Sequence, residues 1–203
     1  MSLDGFVAGP RPTLEAPLGE GGGLLHEWLF GLASFREQHG LGGGGTGPED
    51  DLNRAVVEST GACVMGRRMF SGGSGPWADD PNASGWWGDE PPFGVPVFVL
   101  THHAREPLVL GATTFHFVTD GIDAALERAR AAAGERDVTV VGGADVVRQA
   151  LRAGAVEEVQ LHVAPVLLGG GTRLFADDPL SFELTDVLGS PKAAHLRYRP
   201  ADE

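Results

Sequence analysis

The chain has 203 residues, 42% of them hydrophobic, and a formal net charge of −13 at pH 7; this length and hydrophobic content suit one globular domain, residues 1–203, that buries a core without disulfides or metals. The acidic balance argues against a nucleic-acid partner, which requires a basic surface, and no apolar run reaches the roughly 20 residues that span a membrane. Since no signal-peptide pattern follows Met1 and the only cysteine, Cys63, cannot form an internal disulfide, we expect a cytoplasmic protein with Cys63 packed in its core.

Two helices are predicted in the N-terminal part of the chain. His26–Gln38 carries an apolar stripe at helical spacing, which is typical of a helix packed against a core. Pro48–Thr60 has three acidic residues in its first turn, where they complement the helix dipole. Ahead of both helices, Asp4 precedes Gly5, and two roles stay open for it. A carboxylate at a strand end can orient a substrate or relay a proton, or it can cap the turn.

A buried strand is predicted at Gly61–Met65, and at Gly66 it turns into a short helix. That helix begins with the pair Arg67–Arg68, which on sequence alone is either a solvated surface feature or a pair of anion-binding side chains. Ser71–Gly94 is a long loop with three tryptophans, which argue against disorder. They could close a pocket over a planar substrate, line a dimer contact or pack as a surface loop.

Two further strands are predicted at Val95–Leu100 and Thr113–Val118. After the first of them, Thr101–His103 contains two adjacent histidines, but no carboxylate or cysteine stands at ligand spacing, so no metal site is expected. After the second, Asp120 and Asp123 are predicted to form a capping box at the start of a helix.

The stretch that most constrains function is Asp137–Phe175. Its β-branched run Val138–Val141 predicts a buried strand. The pair Gly142–Gly143 follows, and then an amphipathic helix that Gly154 ends. A second, alternating strand begins at Val159. The order is strand, two glycines, helix, strand.

Two interpretations of the glycine pair stay open. A helix N-terminus presents unpaired N–H donors and about half a positive charge, and glycines before it let a phosphate reach the backbone, so a nucleotide pyrophosphate would fit there. Equally, the pair could serve only to pack the strand closely on the helix. Asp145 in the first turn would compete with a phosphate, and we therefore expect its side chain to point outward.

The C-terminal segments Phe182–Val187 and Ala194–Arg199 alternate apolar and polar residues and are predicted to be antiparallel strands. His162 and His195 fall on polar positions of strands and are expected to be solvated. Because strands alternate with helices and then give way to strands, the chain predicts an α/β domain with a mostly parallel sheet and antiparallel strands at the C-terminal end.

Three motifs, in this order along the chain, carry a family resemblance. SLDGFVAGP at 2–10, VMGRRMF at 64–70, and VVGGADVVRQAL followed by EEVQLHVAPVLLGGGTRLF at 140–175 resemble the C-terminal reductase domain of the riboflavin-biosynthesis deaminase–reductase, within the dihydrofolate-reductase-like superfamily. The match is best with its stand-alone bacterial members. No deaminase half is expected within these 203 residues, because no H-x-E with P-C-x-x-C occurs in them.

The resemblance implies a three-layer α/β/α domain that binds NADPH and transfers a hydride to a C=N or C=O carbon of a small heterocycle such as a pyrimidine or a pterin. A ribosylamino-pyrimidine of riboflavin synthesis is one named substrate. The alternative is a non-catalytic nucleotide- or flavin-binding homodimeric module that kept the fold. A homodimer is expected in either case. The resemblance also places a complete first strand before residue 2, so we expect the true start to lie upstream of residue 1.

The resemblance assigns site residues as well. Asp4 is the expected catalytic residue. The expected cofactor-binding residues are Gly66, Arg67, Arg68, Met69, Thr101, His102, Gly142, Gly143, Ala144, Asp145 and Val146. The expected substrate-side residues are Gly5, Trp28, Pro165, Leu168 and Gly170. The family more often has threonine where Met69 stands, which removes one hydroxyl contact to a phosphate and favours the non-catalytic alternative.

Overall fold

The structure is a computed structural model that describes residues 1–175 and 179–201. Its helices are α1 Ala33–Gln38, α2 Pro48–Ser59, α3 Arg67–Ser71, α4 Gly121–Ala133 and α5 Ala144–Arg152, and short 3₁₀ turns lie at Gly22–His26 and Trp77–Asp79. Its strands are β1 Phe6–Ala8, β2 Thr60–Gly66, β3 Val97–Leu100, β4 Leu108–Leu110, β5 Thr113–Val118, β6 Asp137–Gly142, β7 Val159–Val163, β8 Thr172–Arg173, β9 Phe182–Gly189 and β10 Ala194–Pro200.

The strands form a five-stranded sheet in the order β4-β5-β3-β2-β6, a three-stranded sheet in the order β7-β10-β9, and the pair β1-β8. In the large sheet, β5, β3, β2 and β6 are parallel and only β4 is antiparallel. The C-terminal sheet is antiparallel throughout. The predicted fold class is therefore confirmed. Since parallel strands end at the same edge of a sheet, the turns after β2, β3 and β6 lie side by side.

The core lies on both faces of the large sheet. On one face, Ala62 and Val64 of β2 pack against α4 and α5, and on the other face, Cys63 and Met65 pack against Phe70 of α3. Cys63 is 4% exposed, and burial raises the pKa of its thiol to about 12, which confirms a packed thiol. Among the described helices, none combines the length and apolar character needed to cross a membrane.

The helix predicted at His26–Gln38 is not continuous. A 3₁₀ turn ends at His26, and α1 starts only at Ala33. Between them the backbone bonds to a distant glycine instead of continuing the helix: Ala33 N–H donates to Gly45 O (2.9 Å), and Gly45 N–H donates to Gly31 O (2.7 Å). The predicted apolar stripe still packs inward, because Trp28 and Leu32 are buried.

The predicted capping box before α4 is also wrong. Asp120 occupies the N-cap position but makes no side-chain bond to the helix. Its carboxylate accepts a hydrogen bond from Arg128 instead (2.7 Å). At the other end of the helix, Gly134 has a positive φ of 65°, as a helix-ending glycine does.

The tryptophan-rich loop packs onto the core. Trp77 and Trp87 both contact the cluster around Phe70, and Trp77 donates a hydrogen bond through Nε1 to the carbonyl of His103 (2.7 Å). Of the three interpretations left open, this arrangement favours the packed surface loop.

Candidate functional site

The strand–helix turns after β2 and β6 meet at the edge of the large sheet. Met65 pairs with Gly142 in the ladder between β2 and β6. A Cβ atom on Gly66 would lie 3.0 Å from Val146 Cγ2, which is closer than most Cβ contacts, and 3.7 Å from Gly143 N. Gly142 has a φ of +123°, which only glycine adopts easily. The structure thus brings together four of the predicted cofactor-binding residues.

The N-terminus of α5 opens onto free space. Gly143 is its N-cap residue and has no side chain with which to accept a hydrogen bond from the first turn. A Cβ atom on Gly143 would meet nothing within 4 Å. Ala144 and Val146 are buried, whereas Asp145 is exposed and paired with Arg148, as predicted. Backbone N–H groups and the helix dipole therefore face a space in which an anion would fit.

Arg67 lies differently from the prediction. Its side chain is only 6% exposed and forms a buried ion pair with Asp80, which is 3% exposed. Its guanidinium also bonds to Ser71 and stacks 3.5 Å from the ring centroid of Trp77. These contacts bury Arg67 and hold α3 to the loop, instead of leaving its guanidinium open at the surface. Arg68, in contrast, is exposed.

The turn after β3 lies next to α3. Leu100 pairs with Gly66, so Thr101 follows at the same edge. Thr101 is buried, and its hydroxyl accepts a hydrogen bond from the amide of His103 (3.1 Å), which orders the turn. His102 is exposed. Met69 lies beside this edge, with its Sδ 3.1 Å from the position of a Cβ on Gly142.

Arg105 is a functional candidate that the sequence analysis did not identify. Its Cζ lies 4.5 Å from the ring centroid of Trp77 and 4.8 Å from that of Phe117. Burial and then the positive charge of Arg67 lower its pKa. Two guanidinium groups therefore share one indole; that of Arg67 is paired with Asp80, whereas that of Arg105 donates to the carbonyl of Ala83. The feature of the sequence that could have pointed to it is the position of an arginine shortly after the end of a predicted strand.

Asp4 belongs to a second cluster. Its carboxylate accepts hydrogen bonds from the amides of Leu168 (3.1 Å) and Gly169 (2.7 Å), and Arg173 donates to its backbone carbonyl (3.1 Å). A hydrogen bond from Ser2 is the main cause that lowers the pKa of Asp4 to about 2, and the two amides add to it. Asp4 is therefore ionised at neutral pH.

The predicted substrate-side residues are only partly brought together. Leu168 bonds to Asp4, a Cβ on Gly5 would lie 3.3 Å from Arg173, and one on Gly170 would lie 4.0 Å from Pro10. Pro165 is exposed just after β7. Trp28 is instead buried under the three-stranded sheet.

His162 and His195 are not solvated, which corrects the prediction made from their polar neighbours. Their Nδ1 atoms lie 2.8 Å apart, and His195 is 2% exposed. The ring centroid of Trp28 lies 4.7 Å from each imidazole. The alternation of polar and apolar residues along β7 and β10 could not show that Trp28 and α2 cover the face of the sheet that carries the two histidines.

The two clusters are joined through α5. Arg148 donates a hydrogen bond to the carbonyl of Arg173 (2.9 Å), and Arg173 reaches Asp4. Over residues 1–175 and 179–201, no three His, Cys, Asp or Glu side chains gather closely enough to hold a metal ion. The arrangement leaves the N-terminus of α5 open and connects this helix through Arg173 to Asp4, whose carboxylate is ionised.

Solved structures resemble this fold. A protein assigned to riboflavin biosynthesis from Shewanella sp. PV-4 matches with a TM-score of 0.61 and 21% identity, over 100% of this chain and 96% of that one. A diaminohydroxyphosphoribosylaminopyrimidine deaminase/5-amino-6-(5-phosphoribosylamino)uracil reductase from Thermotoga maritima matches with a TM-score of 0.54 and 15% identity, over 98% of this chain and 54% of that one. A pyrimidine reductase-like protein from Corynebacterium diphtheriae matches with a TM-score of 0.50 and 14% identity, over 77% and 83% of the two chains.

At sequence identities of 21%, 15% and 14%, the similarity to these structures shows a shared fold. A comparison with curated proteins found no matching sequence. The family model of the RibD C-terminal domain matches residues 1–190. This match confirms the resemblance that the three motifs indicated, and the chain therefore belongs to the RibD C-terminal domain family.

Proposed function

We propose that the protein is an NADPH-dependent reductase that transfers a hydride to a C=N or C=O carbon of a small heterocycle, with 5-amino-6-(5-phosphoribosylamino)uracil as the first substrate to test. Membership of a reductase family supports this activity. The observation that carries the proposal is the meeting of Gly66 with Gly142–Gly143 at the open N-terminus of α5. Such a junction, with glycines in front of a helix N-terminus that is open to solvent, suits a nucleotide pyrophosphate.

In this proposal the cofactor lies along the edge of the sheet. The first turn of α5 would bind the pyrophosphate through the backbone N–H groups of Gly143, Ala144 and Asp145, since that of Val146 already donates to Gly143 O (3.0 Å). Arg68 would supply a charge from the exposed side of α3. Thr101, His102 and Arg105 would face the adenosine end. The hydride is the chemistry that a bound nicotinamide cofactor supplies, and the protein positions the reactants and excludes water.

Purified full-length protein provides the direct test. We expect NADPH to bind and to be oxidised with at least one member of a panel of ribosylaminopyrimidines, pterins and quinones. Binding of NADPH without turnover on the whole panel would favour the non-catalytic alternative. That alternative is also supported by Met69, which stands where the family more often has threonine. Absence of any nucleotide binding would contradict both functions.

Arg105 is expected to determine the preference for NADPH over NADH, since its positive charge suits the additional phosphate. Arg105→Gln should weaken NADPH binding about 10- to 30-fold, which corresponds to about 1.4–2 kcal/mol, and leave NADH binding nearly unchanged. Titration calorimetry with both nucleotides measures this difference. Arg128→Gln, which changes an exposed arginine on α4, should alter neither affinity, and equal losses for both nucleotides in Arg105→Gln would show that Arg105 acts only on the fold.

Asp4 is proposed to orient the substrate as a carboxylate rather than to donate a proton. Its pKa lies below the ordinary value, at about 2, so it stays ionised above about pH 4, and its contribution is lost only as the pH falls from about 4 through 2. The pH profile of turnover should therefore show no ionisation of Asp4 between pH 5 and 9. Asp4→Asn should lower kcat about tenfold or more without changing the shape of that profile. A profile whose acidic limb disappears in Asp4→Asn would contradict the assignment.

We further propose a cytoplasmic homodimer. Leu184 and Val187, 54% and 56% exposed on the edge strand β9, support an interface there, because exposed apolar side chains on an edge strand favour association. Analytical ultracentrifugation should give about twice the chain mass of 21.2 kDa, and a monomer at tens of micromolar would contradict this part.

A further inference from the structure

A chain of three titratable side chains lies between α2 and the three-stranded sheet, away from both clusters described above. The Nδ1 atoms of His162 and His195 are 2.8 Å apart, and His195 Nε2 is 2.9 Å from Glu49 Oε1. The hydroxyl of Ser190 donates to the same carboxylate oxygen (2.7 Å). These hydrogen bonds connect β7, which carries His162, with β10, which carries His195, and α2, which carries Glu49.

The partners of these atoms decide where the protons lie. Ionised Glu49 is only an acceptor, so His195 donates to it through Nε2 and keeps Nδ1 as an acceptor. His162 must then donate from Nδ1. The chain is satisfied when both imidazoles are neutral and His162 carries its proton on Nδ1.

One additional proton fits into this chain, and a second does not. A cationic His195 would lie between two acceptors, Glu49 and, after a change of tautomer, the Nδ1 atom of His162. With two cations, N–H groups of like charge would face each other across 2.8 Å with no acceptor between them. Because His162 and His195 are cross-strand partners, their separation would disturb the face of the sheet on which Trp28 packs.

The surroundings also oppose the second proton. Burial is the main cause that lowers the pKa of His162 to about 4, and the neighbouring His195 adds to it. Burial raises the pKa of Glu49, but its hydrogen bonds with Ser190 and His195 outweigh that effect and keep it below the usual value. Other charged or titratable groups act on His162 or Glu49 from nearby, namely the Met1 amino group, His26, Lys192 and Arg197.

We propose that Glu49, His195 and His162 form a pH-sensitive latch that holds Trp28 against β7 and β10 near neutral pH and releases it in weakly acidic solution, when these side chains take up a second proton. Trp28 contacts both rings, with centroids 4.7 Å away, and packs with Leu32 and Ala193 in a small separate core. Release of Trp28 would therefore loosen the segment between the 3₁₀ turn and α1 without unfolding the large sheet.

The direction of the pH effect follows from His162. In the closed state it stays neutral down to about pH 4, whereas a released imidazole takes up a proton near pH 6.5. The latch is therefore fully closed above about pH 6.5, and the closed state loses its advantage as the pH falls toward about 4.

Full-length protein labelled with 5-fluorotryptophan tests the latch by ¹⁹F NMR between pH 8 and 4, with the Trp28 signal assigned from Trp28→Phe. We expect the Trp28 signal to move toward the solvent-exposed position at a higher pH than the signals of the other three tryptophans. If all four signals change together, in a single global unfolding, the latch does not exist.

Two variants and a control sharpen the test. His162→Gln keeps a hydrogen-bonding group but cannot become charged, so the separate Trp28 transition should disappear or move down by about one pH unit or more. Glu49→Gln removes the charge that stabilises the first proton in the closed state, so the midpoint should rise by about half a unit or more. His116→Gln, which changes a histidine stacked on Phe98 in the large sheet, should leave the midpoint unchanged. Equal midpoints in all variants would overturn the proposal.

A measurement on the unmodified protein does not depend on whether the variants fold. At pH 8, ¹⁵N NMR of the histidines should show His162 protonated on Nδ1, the less common tautomer in water. Protonation of His162 on Nε2 at that pH would mean that the chain of hydrogen bonds is absent.

Discussion

Gly143→Leu is expected to weaken NADPH binding about 100-fold or more, which corresponds to about 2.7 kcal/mol, while the protein remains folded. Gly143 has φ −71° and ψ −173°, which other residues adopt readily, and a Cβ there would meet nothing within 4 Å. The leucine side chain would instead fill the space in front of the first turn of α5, where the proposal places the pyrophosphate.

Paired titrations separate binding from folding in this variant. Affinity is measured by calorimetry with NADPH, and stability by urea unfolding followed by far-ultraviolet circular dichroism. Gly75→Leu is the matched control, because Gly75 is exposed and a Cβ there would also meet nothing within 4 Å; it should change neither quantity. Unaltered NADPH affinity in Gly143→Leu would place the nucleotide elsewhere.

Asp80→Asn is expected to lower the free energy of unfolding by about 3–5 kcal/mol, the range for removing one partner of a buried ion pair. Asp80 and Arg67 are 3% and 6% exposed, and without the carboxylate the guanidinium of Arg67 would stay buried without its counter-charge. Asparagine preserves the volume of the side chain, so the loss would not come from a cavity. The urea midpoint measures this change.

Arg68→Ala is the matched comparison on the same short helix. Arg68 is exposed, so its removal should change stability by less than about 0.5 kcal/mol and weaken NADPH binding several-fold instead. Destabilisation by Arg68→Ala with little effect of Asp80→Asn would reverse the roles that we assign to the two arginines.

Backbone features near the site followed from the sequence because they depend on local chemistry. The run Val138–Val141, the pair Gly142–Gly143 and the helix-ending Gly154 correspond to β6, the turn and α5 as the structure has them. The short helix after Gly66 was likewise predicted. β-branched residues favour an extended backbone and glycine readily adopts a positive φ, so neighbours distant in sequence hardly alter the outcome.

Side-chain roles that depend on distant partners could not be predicted. Nothing local shows that Asp80 returns to neutralise Arg67, and an arginine beside a glycine turn is equally suited to a phosphate. Arg105 becomes a candidate only in the folded protein, where it stacks on the same indole, that of Trp77, as Arg67. His162 and His195 alternate like solvated residues, and only the packing of Trp28 above them makes that face a buried one.

The break between the 3₁₀ turn and α1 has the same cause. Helical spacing in His26–Gln38 places the apolar side chains correctly, but it does not reveal that Gly45 offers the backbone of Gly31 and Ala33 alternative hydrogen-bond partners. Tertiary contacts overrode the helical preference there.

The central claim is that the first turn of α5 binds the pyrophosphate of a nucleotide cofactor through its backbone. Titration of ¹⁵N-labelled full-length protein with NADPH, followed by amide NMR, tests it most directly. We expect the largest shifts at the amides of Gly143, Ala144 and Asp145, with a second group at Gly66. Saturable NADPH binding that leaves these amides unshifted would contradict the claim.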